Sequence, residues 1–317
     1  MARYVTVASI AFSAAPGQRP EAALAPATEL LRVAARSHPD LVIFPEMFLH
    51  AGGPIEQWRG SEPLPNALSG HFAALARELQ VNLLVPLPLM EEGNCFNGVV
   101  ALSRQGEMLG TYAQSYSTPL EMQAGIIPGQ GPAVFEFDFG RVSSAICFDL
   151  HFPHLAEALQ EEDLDLLCVH SMFAGGDLLR AWAVTVGAPV LSSCASDSRL
   201  VDMTGAELGR VALQHVWWQL PPILIGRLNL DRRLFHIDHN IADYFGTDGG
   251  IHRLLAERPA EATLDYNLPM SLFALGAEEG VSLAALIDQY GLETCRDYFR
   301  RCRRLRDETR GAAGLSG

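Results

Sequence analysis

Residues 141–159 read RVSSAICFDLHFPHLAEAL, and the way this stretch divides decides the architecture. Small and apolar residues run up to Cys147 as a buried strand. A tight turn follows, and a helix begins near Pro153 and continues to about residue 161. A thiol at a strand-to-helix elbow is exposed and faces backbone N–H groups, which can hold an oxyanion. The field on the helix side also favours thiolate. The competing reading makes Cys147 one of several buried structural thiols, as Cys168 is expected to be.

Strand and helix patterns alternate on both sides of this elbow. VTVASIAF (5–12) reads as a first buried strand closed by a Pro/Gly turn, in preference to the apolar core of a signal peptide. Residues 20–37 carry Leu24, Leu30, Leu31 and Ala34 at helical spacing. LVIFPE (41–46) is a short apolar strand. Residues 66–80 set Leu68, Phe72, Leu75 and Leu79 on one helical face, and VNLLVPLPL (81–89) is the next buried strand. NGVVALS and EMLGTYA flank the turn Arg104-Gln105-Gly106 as a hairpin, and VFEFDFG and RVSSAIC bracket Gly140 as a second strand pair.

After the elbow the sequence predicts a strand over 164–170, a helix over 177–185 and a strand over 189–194. Two further strands follow near 199–203 and 223–230. Continuous apolar runs belong to strands covered on both faces, so the class is layered α/β. Beyond residue 240 the pattern weakens to a single helix, about 281–308. The division expected is a domain over 1–240 and a C-terminal extension over 241–317.

Composition narrows the function. The chain has 317 residues, 49% of them hydrophobic, with 23 basic against 37 acidic side chains and a formal net charge of -14. That apolar content excludes disorder, and the absence of an uninterrupted apolar run of about 18 residues argues against a membrane span. The acidic balance argues against general nucleic-acid binding, which needs a basic footprint. Six cysteines without a C-x-x-C pair give neither zinc spacing nor a dense disulfide framework, so a reducing, cytoplasmic setting is expected. No metal or other cofactor is called for. Every basic residue is Arg, and the chain contains no Lys. Codon usage accounts for this, or a substrate electrophile that modifies amines, or avoidance of lysine-directed tagging.

A second chemical signal lies in LVIFPEMFLHAG (41–52). Glu46 directly follows an apolar strand and so stands at its C-terminal end, where open α/β sheets place their ligands. Paired with a cysteine, such a carboxylate acts as a general base. Glu121, beside the Pro128-Gly129 turn, is a second carboxylate or an ordinary loop residue.

With these pieces in order, the sequence resembles the nitrilase superfamily of carbon–nitrogen hydrolases. The resemblance rests on LVIFPEMF around Glu46, NGVVALSRQGEMLGTY (97–112), AICFDLHFP around Cys147 and PVLSSCASDSRLVDMTGAELG (189–209), and spans about residues 3–235. It implies a four-layer α-β-β-α sandwich, a homodimer or larger homo-oligomer, and a Glu-Lys-Cys triad working through a cysteine thioester or thioimidate. By that resemblance Glu46 is the general base, Cys147 the nucleophile and Glu121 the secondary glutamate. The backbone N–H of Phe148 helps line the oxyanion site, and Phe148, His170, Phe173 and Tyr116 are the expected substrate-side residues.

The third triad member departs from the pattern. The family lysine falls two residues after the tyrosine of GTY, where this chain has Gln114; a neighbouring family histidine falls on Tyr116 and a common arginine on His151. Gln114 can donate a hydrogen bond but supplies neither full charge nor a proton. Loss of one oxyanion donor typically costs about 2.7–4 kcal/mol in the barrier. Two readings follow, beside an unrelated function that merely reuses the fold. One is cysteine-dependent C–N chemistry by an altered mechanism, either hydrolysis of a small-molecule amide or nitrile or acyl transfer, with His170 or another group partly replacing the lysine. The other is a non-catalytic relative that binds a ligand or partner through the same pocket. Over 296–310 the chain carries Arg296, Arg300, Arg301, Arg303, Arg304, Arg306 and Arg310, expected as a solvated or intersubunit face.

Overall fold

A computed structural model describes residues 2–212, 220–241, 249–313 and 315. The chain divides into two compact units, one comprising Tyr4–Leu228 and the other Asn229–Gly317 with Met1–Arg3. The sequence places that boundary at residue 240. In the structure the strand that begins at Arg232 pairs only within the second unit.

The first unit opens with β1 (Tyr4–Ile10), α1 (Pro20–Ala35), β2 (Leu41–Ile43), α2 (Ala67–Leu79), β3 (Asn82–Glu91), β4 (Asn94–Leu102) and β5 (Met108–Ala113). Next come α3 (Pro119–Gln123), β6 (Val134–Phe137), β7 (Gly140–Ile146), α4 (Pro153–Gln160), β8 (Leu166–Ser171), α5 (Asp177–Val186) and β9 (Val190–Cys194). It ends with β10 (Asp197–Val201), β11 (Glu207–Ala212) and β12 (Ile223–Asn229), whose last residue already counts with the second unit. Two six-stranded sheets result, ordered β12-β1-β2-β3-β4-β5 and β11-β10-β9-β8-β7-β6. β1, β2 and β3 run parallel, as do β7, β8 and β9, and the hairpins lie at the sheet margins. The sequence reading misses β11, whose Glu-Leu-Gly-Arg run is mostly exposed and lacks a buried strand's apolar signature.

Alternation of side chains along each strand gives every sheet two covered faces. Ala8, Ile10, Val42, Phe44, Leu83 and Val85 meet Ala27 and Leu31 of α1 and Phe72 and Leu75 of α2 in one core. Leu167, Val169 and Val190 meet Leu155 and Leu159 of α4 and Trp182 and Val186 of α5 in another. The intervening residues point between the sheets, where Ser9 Oγ donates to the Ser192 carbonyl at 2.9 Å and Ser193 Oγ to the Ile10 carbonyl at 3.0 Å. The layers are therefore helix, sheet, sheet, helix, an α-β-β-α sandwich of the nitrilase type.

In the second unit β13 (Arg232–His236), β15 (Leu272–Ala277) and β14 (Ala262–Asn267) form a three-stranded antiparallel sheet. It packs on α6 (Gly250–Glu257) and α7 (Leu283–Tyr290). α8 (Cys295–Ala312) follows. The single helix expected over 281–308 is in fact two. Gly291 closes α7 in the left-handed conformation (φ +61°), and Thr294 caps α8 by accepting from the Asp297 amide. The sheet is missing from the sequence reading because its strands are short and β14 is largely exposed. α8 buries only Cys295, and its arginines pair locally, Arg301 with Glu293 at 2.6 Å and Arg300 with Asp297 at 3.3 Å. Among the described residues no helix is long and apolar enough to cross a membrane.

Candidate active site

Cys147 follows the last residue of β7 and adopts a left-handed conformation, φ 43°, at the start of a single 3-10 turn, Cys147–His151. A side chain at such a φ is strained by about 1–2 kcal/mol and is held there by its surroundings. Asp149 does the holding. Its Oδ2 accepts from the Ile146 N–H at 2.8 Å and from the Tyr112 hydroxyl at 2.7 Å, and its Oδ1 accepts from the Tyr116 N–H at 2.9 Å. The elbow is thus tied to the end of β5.

Glu46 lies just beyond β2, on a turn bracketed by Phe44 and Phe48. Those rings stack at 4.4 Å, and both meet Phe72 edge-on. The carboxylate is buried, with Oε2 accepting from the Met172 N–H at 3.0 Å and Oε1 from Asn97 Nδ2 at 2.7 Å. The Cys147 thiol lies close enough to Glu46, the Met172 N–H and Ser171 for each to shift its proton affinity. Sequence-distant segments, after β2 of one sheet and after β7 and β8 of the other, therefore meet at this site.

Glu121 belongs to the same cluster. It is the third residue of α3 and forms a capping box with Thr118, whose N–H and Oγ1 donate to Oε2 at 2.7 and 2.8 Å. Its Oε1 accepts from Asn97 Nδ2 at 2.9 Å. Gln114 is buried beside them, but its amide nitrogen donates to the Ile146 carbonyl at 3.1 Å and its oxygen faces Asn97 at 3.1 Å. The residue that donates to both carboxylates is Asn97.

Electrostatics follow from this dry, anionic setting. Burial pushes the Glu46 carboxyl up to about 7, against a hydrogen bond from Asn97 that pulls it down; the charge of Glu121 adds to the rise. Burial, then the Glu46 charge, pushes the Cys147 thiol up to about 12, with the Met172 N–H and Ser171 pulling it back. The groups that dominate these two shifts include no cation.

Of the expected substrate-side residues, Phe148, Phe173 and Tyr116 line a continuous aromatic surface around the elbow. Phe148 packs on Phe152 and His151, Phe173 stacks with His151, and Tyr116 stacks on Phe152 at 3.7 Å with its hydroxyl 2.9 Å from His154. His170 is placed differently. It is 0% exposed in β8, with Nδ1 2.7 Å from the Phe44 carbonyl and Nε2 3.3 Å from Ser144 Oγ. Burial lowers it to about 4, so it is a neutral core group joining the two sheets and does not stand in for a cation. Cys168 is a fully buried thiol.

The sequence reading overlooks Asn97, Asp149, Ser171 and Thr118. Asn97 and Asp149 sit inside the quoted motifs, but their patterns do not distinguish a site residue from a turn or cap residue. Among the described residues, no group of three or more His, Cys, Asp or Glu side chains could hold a metal ion.

The fold that carries this buried carboxylate and elbow thiol is a four-layer sandwich of the nitrilase type. Comparison with known proteins agrees. Residues 6–195 match the carbon–nitrogen hydrolase family, and the chain belongs to that family. A deaminated glutathione amidase from Synechocystis is 27% identical over 238 residues, 65% of this chain and 85% of the relative. Its Bos taurus counterpart is 28% identical over 204 residues, 57% and 59% of the two chains. Among solved structures, an amidase from Nesterenkonia sp. superposes with a TM-score of 0.63 at 22% identity, covering 72% of this chain and 91% of its own. Another structure of that amidase carries the acetamide moiety of fluoroacetamide covalently on its active-site cysteine. Nit3 of Saccharomyces cerevisiae superposes with a TM-score of 0.63 at 18% identity, covering 72% and 90%.

Proposed function

We propose that this chain cleaves or exchanges a carbon–nitrogen bond of a small amide through a Cys147 thioester, by a triad in which Gln114 stands at the family's lysine position. The placement of the buried Glu46 carboxylate beside the Cys147 thiol carries the reading. As Sγ attacks the amide carbon, Glu46 takes the thiol proton and the carbonyl oxygen becomes an oxyanion beside the elbow, with the Phe148 N–H as its expected donor. Collapse breaks the C–N bond while Glu46 returns the proton to the departing nitrogen. Water, or an acceptor amine, then attacks the thioester; Glu46 takes its proton and passes it to Sγ as the acyl product leaves. A base near pH 7 suits this shuttle. A thiol near 12 means that ionisation accompanies attack and does not precede it.

The amidase relatives support an amide as the substrate class. The Arg-rich face of α8 would serve as an intersubunit surface of a homo-oligomer, and salt-dependent dissociation in gel filtration would bear this out.

One observation favours the second reading, a binding protein built on the same pocket. The Cys147 thiol is pushed up to about 12 beside an anionic partner. Intact mass after exposure to a panel of acyl donors, amides and nitriles separates the two. An adduct on the wild type that is absent from Cys147→Ala, and that forms faster than on free cysteine, supports catalysis. An unreactive Cys147 across the panel and at raised pH supports binding alone.

A further inference from the structure

Asn97 is 0% exposed on β4, and its amide nitrogen lies 2.7 Å from Glu46 Oε1, 2.9 Å from Glu121 Oε1 and 3.1 Å from Gln114 Oε1. One NH2 group offers two protons to these three acceptors. Its Oδ1 is buried without a partner, so the amide sits as it does for its nitrogen end, at a cost to its oxygen end. Gln114 turns its oxygen towards Asn97, while its nitrogen donates to the Ile146 carbonyl. Two carboxyl oxygens bound to one nitrogen stand within about 6 Å of each other, a separation at which like charges resist joint ionisation.

We propose that Asn97 is the positioning residue of this site, holding Glu46 and Glu121 on one uncharged amide, so that in a chain without lysine a single proton balances the carboxyl pair in place of an ammonium. This rests on the reading of Glu46 as the base. Glu121 accepts three hydrogen bonds, two from Thr118 and one from Asn97. The exchangeable proton is that of Glu46, which is faced by Asn97, Glu121, the Cys147 thiol and the Met172 N–H. His170, neutral in the neighbouring strand, has both ring nitrogens engaged elsewhere and contributes no charge. The raised proton affinity of Glu46 agrees with this arrangement. Asn97 limits that rise and keeps the group usable near neutral pH.

Infrared difference titration of the glutamic acid C=O band, with 13C-labelled glutamate, reads the proton directly and needs no reaction at Cys147. An unreactive Cys147 would sink the proposed function while leaving this measurement intact. The expected result is one carboxyl titrating near neutral pH that disappears in Glu46→Gln and shifts downward in Glu121→Gln. In Asn97→Leu its midpoint should rise by a pH unit or more, and adding Gln114→Lys should bring it back down. If Asn97→Leu does not fold, Asn97→Ser, whose hydroxyl is too short to bridge, should show the same upward shift. An unchanged midpoint in a folded Asn97 variant overturns the proposal, as does the absence of any near-neutral carboxyl in the wild type.

Discussion

The carboxylate of Asp149 accepts the Ile146 N–H at 2.8 Å and so closes the elbow on which Cys147 stands. Asp149→Ala leaves the Ile146 and Tyr116 amides and the Tyr112 hydroxyl without this acceptor. Buried groups orphaned in this way cost about 1–3 kcal/mol each before relaxation. Urea denaturation should show a loss of about 3 kcal/mol or more, and alkylation of Cys147 by iodoacetamide should lose its distinction from a free thiol. A variant of wild-type stability would mean that the elbow is held by other contacts.

Cys147 holds a left-handed φ of 43°, a conformation open to glycine at little steric cost. Cys147→Gly should therefore melt above Cys147→Ala, by an equivalent of up to about 1 kcal/mol, after the glycine's greater unfolded-state freedom is subtracted. Both variants should lack activity. Calorimetry of the pair decides it, and an alanine variant as stable as the glycine one would show that the backbone there is unstrained.

Glu46 sits near 7 because burial raises it from an ordinary value near 4.5. Between those two pH values the folded state binds more protons than the unfolded chain, so this group's contribution to stability falls as pH rises from about 4.5 to about 7 and then levels off. Glu46→Gln should gain stability relative to wild type across that window, by on the order of 1–3 kcal/mol in total. His170, lowered to about 4, works in the opposite sense: acidification from about 6.5 to 4 removes stability that its neutral form supplies. Activity should rise through about pH 7 as Glu46 ionises, with no second limb from the thiol until far into the alkaline range. A profile that is flat between pH 5 and 9 would remove Glu46 from the role of base.

Phe72 packs edge-on against Phe44 and Phe48, the two stacked rings on either side of Glu46. Phe72→Ala should cost about 3–5 kcal/mol as a buried cavity. It should also loosen the Glu46 turn, lowering the rate of acyl-adduct formation at Cys147 even at temperatures where the variant stays folded. An unaffected rate in the folded variant would show that the turn is set by its own backbone bonds.

The layered α/β class, most elements of the first unit and the elbow at Cys147 could be read from the chain, because apolar runs of strand length and periodic helices are local signals. Glu46 and Cys147 were likewise marked by their positions at strand ends. The break at Gly291 and the strands of the second unit were not legible, since short or half-exposed strands carry little periodicity. The absence of lysine is a property of the sequence alone, and it bars an ammonium from this site in any fold the chain adopts.

What fills that place was decided in three dimensions. Asn97 in NGVV reads as a residue at the start of a strand, and Gln114 reads as the donor. Strand pairing reverses those roles, because β4 carries Asn97 between the two carboxyl groups while the Ile146 carbonyl claims the Gln114 nitrogen. In the same way His170 became a core group once β8 was seen to face the opposing sheet. Hydrogen bonds between segments far apart in sequence depend on which way each side chain points after the layers close, and no local pattern records that direction.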